Sequence, residues 1–232
     1  QRWLQRHLGW RYPEIINVGR LGLEAGILSK SKMRAGIEDG TYSGWDDPRL
    51  GTLKALRRRG LQPEAIRAIM IHVGPKPVNV TITWDNIAAE NRKIIEPISD
   101  RYFFVEDPVG LTVTGVQGPH VAKLPVHPDH PERGTRDFVL EPKESELRFS
   151  VSGGDLTRLR VGGVTRLMGA MNVEVTEVDE SGVRAVYHSK DYQLARDMDA
   201  PFIHWLPAGV GVEAQVVLPD ATRASGLAEE RV

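Results

Sequence analysis

Three clusters of side chains in this sequence could do chemistry. The first is Leu28-Ser29-Lys30-Ser31, continued by Lys32, in a stretch with glycines at 26 and 36. An ammonium between two hydroxyls can neutralise phosphate charge as a transition state forms. Lysine suits that task because it is a compact, mobile point charge. The same run also fits a solvated turn. It does not fit a Walker-type phosphate loop, because GxxxxGK[ST] is absent. The second cluster is Arg57-Arg58-Arg59. Basic side chains at a helix end complement its negative pole for about 0.3–1 kcal/mol, but three in succession exceed that need. At least one is free to meet phosphate, with Asp46 or Asp47 as partners for the others. The third cluster is His127, Asp129, His130 and Glu132. Pro128 and Pro131 hold this run extended, so the two imidazoles are awkwardly placed for one ion, and no metal is assigned. "GGDL" and "VGG" are turns rather than phosphate cradles, since no helix follows them.

These clusters need elements to hold them. "QRWLQRHL" reads as the end of an amphipathic helix, followed by a Tyr12-Pro13 turn and a short strand near Ile15–Val18. Three helices come after the lysine run. Asp47 caps the first, Pro48 takes its first position, Leu50, Leu53 and Leu56 recur on one side, and Gly60 stops it. Pro63 opens the second, with Ile66, Ile69, Met70 and Val73 as its apolar stripe and Gly74 at its end. Thr83 caps the third, which runs until Pro97 interrupts. From Arg101 onward the texture is short β-rich segments: "RYFFV", "GLTVTGV", "DFVLE", "ELRFSVS", "MNVEVTEV", "VRAVYHS", "PFIHWL" and "GVEAQVVL". The period-2 alternation in "NVEVTEV" and the "DESG" link to "VRAVY" read as a hairpin. Such spacing predicts one or two small barrels. Arg101, Arg158 and Arg166 open or lie on these expected strands.

Composition narrows the classes. With 232 residues and no cysteine, disulfides and thiolate metal sites are excluded. No apolar run approaches the roughly 20 residues of a membrane span, so no membrane partner is expected. The net charge of −1 argues against a uniformly basic nucleic-acid binder. The charge is unevenly spread, however: residues 1–100 hold 16 Lys and Arg against 11 Asp and Glu, while residues 101–232 hold 14 against 20. A basic first part permits a polyanion partner on selected faces. Gln1 falls inside what already reads as a helix, and we read the chain as a piece of a longer protein.

The order of motifs resembles the class I aminoacyl-tRNA synthetases, in particular the glutamyl enzymes of the archaeal and eukaryotic type. Ile27-Leu28-Ser29-Lys30-Ser31 is similar to their "KMSKS" signature, departing at its first two positions. "LGW", "GRL", "GWDDPRL" with "RRG", "PEAIR", "NRK", "HP..PE.G.R", "RLM" and "HWLP" follow in family order. The resemblance implies an α+β multidomain fold. Residues 1–40 would be the end of a nucleotide-binding catalytic domain, 41–100 a helical domain against the tRNA stem, and 101–232 an all-β anticodon-binding region of two barrels. Bacterial glutamyl enzymes have a helical anticodon part, so the β texture favours the archaeal–eukaryotic side.

The resemblance also assigns roles. Lys30 would steady pyrophosphate as glutamate attacks ATP, within an ATP-binding stretch of Leu28, Ser29, Lys30 and Ser31. Arg57, Arg58 and Arg59 would meet tRNA, while Arg101, Arg158 and Arg166 would lie near anticodon bases, each with a neighbouring carboxylate as the competing partner. The proline-bounded histidine block would be an ordered connection between barrels. ATP is the expected substrate of the full enzyme, with Mg2+, and this portion alone would bind neither. The "HIGH" motif lies upstream in relatives, so the expected partners are a missing N-terminal catalytic half and glutamate tRNA, with glutamine tRNA left open, in the cytoplasm. Two alternatives stand beside this reading. One is a glutaminyl enzyme of the same architecture; the other is a free-standing RNA-binding β-barrel module. An upstream "HIGH" segment in the parent gene would decide against the last.

Overall fold

The computed structural model describes residues 1–230 apart from 12–13, 25–26 and 180–181. The expected Tyr12-Pro13 turn lies outside the described residues, as do Gly26 and the two central residues of the "DESG" link. The chain forms two units, Gln1–Ile98 with Pro219–Ala221, and Ser99–Leu218 with Thr222–Val232.

The first unit contains α1 (Arg2–His7), β1 (Leu21–Leu23), α2 (Lys30–Glu38), α3 (Leu53–Arg58), α4 (Pro63–Val73), β2 (Val80–Ile82) and α5 (Trp84–Ile95). β1 and β2 pair in parallel, Leu21 opposite Val80. The strand expected near Ile15–Val18 forms instead at Leu21–Leu23. Gly19 explains how the chain reaches it: its N–H donates to the Lys76 carbonyl at 2.8 Å, and a Cβ there would sit 1.9 Å from the Val78 carbonyl oxygen. Only glycine permits that backbone approach.

Local signals account for α4 and α5. Pro63 stands in the first turn of α4, and Gly74 at its end takes φ 63°. Thr83 Oγ1 accepts the Asn86 N–H at 3.0 Å while Asn86 Oδ1 accepts the Thr83 N–H at 3.4 Å, a reciprocal cap for α5. Buried Asn91 ties the two helices together, accepting the Gln62 N–H at 2.7 Å and donating to the Gly60 carbonyl at 3.3 Å. Ile69, Ile82 and Ile87 form the core beneath them.

The helix expected from Asp47 is shorter than its apolar spacing suggests. It starts at Leu53, and Thr52 caps it by accepting the Ala55 N–H at 3.0 Å. Asp47 is spent elsewhere, as described below. Residue 40 is no break in packing either: Met33 shares a core with Leu50 and Ala55.

The second unit is β-rich. It runs β3 (Phe104–Glu106), β4 (Pro108–Thr114), β5 (His120–Pro125), β6 (Thr135–Leu140), β7 (Leu147–Ser152), β8 (Val164–Leu167), β9 (Met171–Asp179), β10 (Gly182–Ser189), α6 (Tyr192–Asp197), β11 (Phe202–Ile203), β12 (Trp205–Pro207), β13 (Val212–Val217) and β14 (Arg223–Ala228). Seven strands make one sheet in the order β11-β8-β9-β10-β4-β7-β12. Its first and last strands are consecutive in sequence, with only His204 between them. Two residues of extended chain span at most about 7 Å, so the two ends of the sheet meet and it closes as a barrel. A three-stranded sheet, β13-β14-β3, and the β5–β6 hairpin complete the unit.

Alternation fills the barrel. Leu111 and Val113, Phe149 and Val151, Met171, Val173 and Val175, and Val183 and Ala185 all point inward and are almost wholly buried. Trp205 is fully buried, meets the Phe149 ring edge-on at 5.2 Å, and donates from Nε1 to the Met168 carbonyl at 2.8 Å. A buried indole needs that partner. The histidine block links the two strands of the β5–β6 hairpin rather than joining barrels.

Candidate functional site

The lysine run is not a free loop. Ile27 bridges to Leu50, and its carbonyl accepts the Gly51 N–H at 3.3 Å. Ser29 is the extended residue before α2, which places Lys30 at the first helical position with its side chain in solvent. Ser29 Oγ and Ser31 Oγ lie 3.2 Å apart on either side of it. Among the described residues no carboxylate pairs with Lys30 or Lys32. A helix N-terminus carries a partial positive charge and disfavours cations by a few tenths of a kcal/mol or more. Two lysines there are electrostatically unsatisfied, and an anion would relieve both.

What fixes this helix is a hub built around Asp47. Asp47 Oδ1 accepts the Arg49 N–H at 3.0 Å and Arg49 Nε–H at 2.9 Å. Its Oδ2 accepts the Ser43 N–H at 2.9 Å, the Ser43 hydroxyl at 3.2 Å and Arg49 Nη2–H at 2.8 Å. The fork of Arg49 and the turn amides hold the buried Asp47 carboxyl well below the usual carboxylate range, against the opposing effect of burial. Arg49 Nη2 also donates to the Thr41 carbonyl at 2.6 Å, and its guanidinium lies 4.9 Å from the Tyr42 ring centre. That ring rests on Gly36 of α2, where a Cβ would come within 2.5 Å of it. The chain of contacts therefore runs from Asp47 through Arg49 and Tyr42 to the helix that begins with Lys30. Sequence reasoning took Asp47 for a helix cap and missed this brace.

The three neighbouring arginines part company. Arg57 is exposed and makes no ion pair among the described residues. Arg58 Nη1 reaches Asp46 Oδ2 at 3.1 Å on the surface, the carboxylate partner anticipated for one of the three. Arg59 is a strut: Nε donates to the Pro48 carbonyl at 2.6 Å, Nη2 donates to the Pro219 carbonyl at 2.9 Å, and the guanidinium stacks 3.8 Å from the Trp84 ring centre. Burial lowers its pKa. Its Nε, its Nη2 and one face of its guanidinium are thus already engaged.

In the second unit the expected anticodon arginines are equally unlike. Arg101 is exposed ahead of β3, and its N–H donates to the Val126 carbonyl at 2.9 Å. Arg158 does not lie on a strand. It ends a 3-10 turn over Gly153–Arg158, so "GGDL" is itself helical, and its Nη1 pairs with Asp155 at 3.0 Å. Arg166 lies on β8 but is buried, donating to Asn172 Oδ1 at 3.0 Å and the Lys190 carbonyl at 3.1 Å. Burial lowers its pKa as well. Asn172 extends the network to Ser189 Oγ and the Asp191 carbonyl, so Arg166 orders the Lys190–Tyr192 turn from within.

The structure also presents side chains that the motifs did not. Tyr192, half exposed at the start of α6, has Phe202 edge-on at 5.7 Å and Arg196 at 5.9 Å. An exposed ring beside a guanidinium was detectable only by locating α6. His127 is buried with Nδ1 accepting the Asp129 N–H at 3.1 Å, and His130 Nδ1 faces Glu132 at 2.9 Å. The block thus orders its own turn. No group of three or more His, Asp or Glu among the described residues is placed to hold a metal, and no helix among them is long and apolar enough to cross a membrane.

Comparison with known proteins divides the chain at the same place as its packing. Residues 1–97 match the family described as tRNA synthetases class I (E and Q), catalytic domain. Residues 99–190 match the anti-codon binding domain of the same class. The chain is 50% identical over 216 residues to the glutamate–tRNA ligase of Thermococcus kodakarensis, covering 93% of this chain and 37% of that protein. It is 45% identical over 232 residues to the one of Methanopyrus kandleri, covering all of this chain and 40% of the relative. For Methanothermobacter thermautotrophicus the identity is 47% over 231 residues, 99% of this chain and 39% of the relative. The chain therefore spans well under half the length of the curated relatives it matches.

Proposed function

Because the chain belongs to the class I tRNA synthetases of the E and Q group, we propose that it works as part of an ATP-dependent glutamate–tRNA ligase of the archaeal type in the cytoplasm. The observation that carries this reading is Lys30, an ammonium with no carboxylate partner among the described residues, at the first position of a braced helix with a serine on each side.

In the proposed reaction the glutamate carboxylate attacks the α-phosphorus of ATP and pyrophosphate leaves. The acyl group of the resulting glutamyl-adenylate then passes to a ribose hydroxyl of the terminal adenosine of tRNA, breaking the acyl–phosphate bond and releasing AMP and the hydroxyl proton. Lys30 would follow the separating phosphates, and the first-turn amides and positive pole of α2 would add charge from a fixed direction. The rest of the phosphate site and the glutamate pocket would lie in other parts of the enzyme. ATP would bring magnesium with it; among the described residues no group of three or more His, Asp or Glu is placed to hold that ion.

For tRNA the exposed arginines are the candidates. Arg57, and Arg58 on exchanging Asp46 for phosphate, would grip the backbone without reading sequence. Arg101 and Arg158 would approach the anticodon, Arg158 by releasing Asp155. Arg59 and Arg166 would act as supports. The test is Lys30→Ala in the full-length protein, measured by glutamate-dependent ATP–pyrophosphate exchange with tRNA present. Loss of a transition-state charge contact should lower the rate about 10²–10³-fold with tRNA affinity unchanged. A fall of less than about tenfold overturns the role given to Lys30.

A further inference from the structure

The residue before Ser29 has an environment of its own. Leu28 is 43% exposed, yet its side chain borders an apolar cavity of about 120 Å³ whose walls include Leu23, Leu56, Ile66, Ile69 and Ile82. Opposite it stands Gly51. A Cβ at Gly51 would lie 2.4 Å from Leu28 Cδ2, 3.3 Å from Leu23 Cδ2 and 3.4 Å from the Ile27 carbonyl oxygen. The backbone of Gly51 is not in the left-handed region, so no turn demands glycine here. What this position requires is room for Leu28.

The seat is rigid on one side and loose on the other. Leu50, next to Gly51, is fully buried, bridges Ile27, and donates its N–H to the Asp47 carbonyl at 3.0 Å. Thr52, on the other flank, caps α3. The cavity behind Leu28 is lined almost wholly by hydrocarbon, so it offers water few partners and leaves the side chain without neighbours on part of its inner face. Leu28 therefore has Gly51 on one side and open apolar space toward Ile69 on the other, and Ser29 and Lys30 follow it directly in the chain.

We infer that Leu28 is a positioning residue: seated on Gly51 over the apolar cavity, it sets how far the first turn of α2 projects and hence where the Lys30 ammonium can reach. This rests on the reading of Lys30 given above. The effect belongs to the reaction step, because a misplacement of about 1 Å at a charge contact can cost ~10²-fold in rate.

The test is a size-swap cycle in the full-length protein: Gly51→Val, Leu28→Ala and the pair together, with exchange kinetics, tRNA affinity and melting temperature measured for each. Gly51→Val should lower kcat about 100-fold while leaving the KM for glutamate and the tRNA Kd within about twofold. Leu28→Ala should lower kcat about tenfold. In the Leu28→Ala background Gly51→Val should cost less than about threefold, since the group it displaces is gone. If Gly51→Val does not fold, Gly51→Ala carries the same cycle with a smaller first effect. An active wild type in which the Gly51 substitution costs the same with or without Leu28 overturns this inference alone. A wild type without glutamate-dependent exchange defeats the functional reading, and this inference falls with it.

Discussion

In the first unit a buried carboxylate, Asp47, meets an arginine two residues along the chain; in the second, Glu229 meets Arg136 across 93 residues. The Asp47 carboxylate is 1% exposed, but its partner Arg49 remains 38% exposed. Arg136 and Glu229 are both almost fully buried, at 6% and 5%. The local pair closes a turn, so little chain entropy is lost in forming it. The distant pair forms only when the strand before β7 and the residues after β14 are both in place. Glu229 also accepts the Phe103 N–H at 2.7 Å, and the Arg136 guanidinium lies 5.0 Å from the Phe103 ring centre. One pair shapes a site; the other fastens a fold.

Substitutions at three places would break or sharpen this contrast. The largest effect should come from Arg136→Met, which leaves Glu229 buried without its cation. Breaking such a pair typically costs about 3–5 kcal/mol, to be read by denaturant unfolding of the chain. Adding Glu229→Leu should recover most of the loss, because an apolar pair of similar volume avoids desolvating two charges. A loss below about 1 kcal/mol for the single change would mean that water reaches the pair.

Asp47→Ala comes next. It removes the acceptor of the part-buried Ser43 and Arg49 amides and releases the arginine that braces Tyr42, at about 1–3 kcal/mol. Its pH dependence is distinctive. The folded pKa of Asp47 lies below its ordinary value of 3.8, so its stabilisation is complete above that pH and is lost as pH falls from there through the folded value. The stability gap between wild type and Asp47→Asn should hold from pH 7 to about 5 and shrink only below about 4. A gap that already closes near pH 6 would show that another group sets it.

The smallest structural effect should belong to Arg58→Ala, whose surface pair with Asp46 is worth about 1 kcal/mol or less. Its neighbour Arg59, stacked on Trp84, supplies the contrast at about 1–2 kcal/mol. Filter binding to glutamate tRNA across a salt series should invert the order. Arg58→Ala would flatten the slope by about one phosphate contact and Arg59→Ala would not. Equal slopes for the two variants would remove Arg58 from the RNA interface.

The sequence carried some of this plainly and hid the rest for identifiable reasons. Pro63, Gly74 and the Thr83 cap marked α4 and α5, because the residues that end helices act on neighbouring backbone and leave local signatures. The alternation of 171–178 marked β9 for the same reason. Asp47 misled because Asp before Pro suits a helix cap and a side-chain turn alike, and only Arg49 on the other side of the proline decides. Arg166 misled because β8 is buried at Thr165, Arg166 and Leu167 in succession, so period 2 does not say which way its guanidinium points. The Lys143–Glu146 turn has left-handed residues at Glu144 and Ser145, with φ of 53° and 64°, where pattern reading expects Asn-Gly. Six-residue α6 is too short to declare a period at all. Lys30 was legible through its serines, whereas its support by Tyr42 and Gly36 depends on a contact that no spacing rule encodes.

The single residue that closes the barrel also limits how this part of the chain can change length. Ile203 and Trp205 face the core with exposed His204 between them, so the alternation carries across the joint from the first edge of the sheet into the last strand, where Leu206 is buried as well. Inserting or deleting one residue at that joint would turn the indole outward and exchange the faces of everything after it until a bulge restored parity. Inserting two would keep parity but open the ring of strands. Length can change at the turns of this unit without moving a strand face, whereas at this joint each added residue changes which side chains point inward.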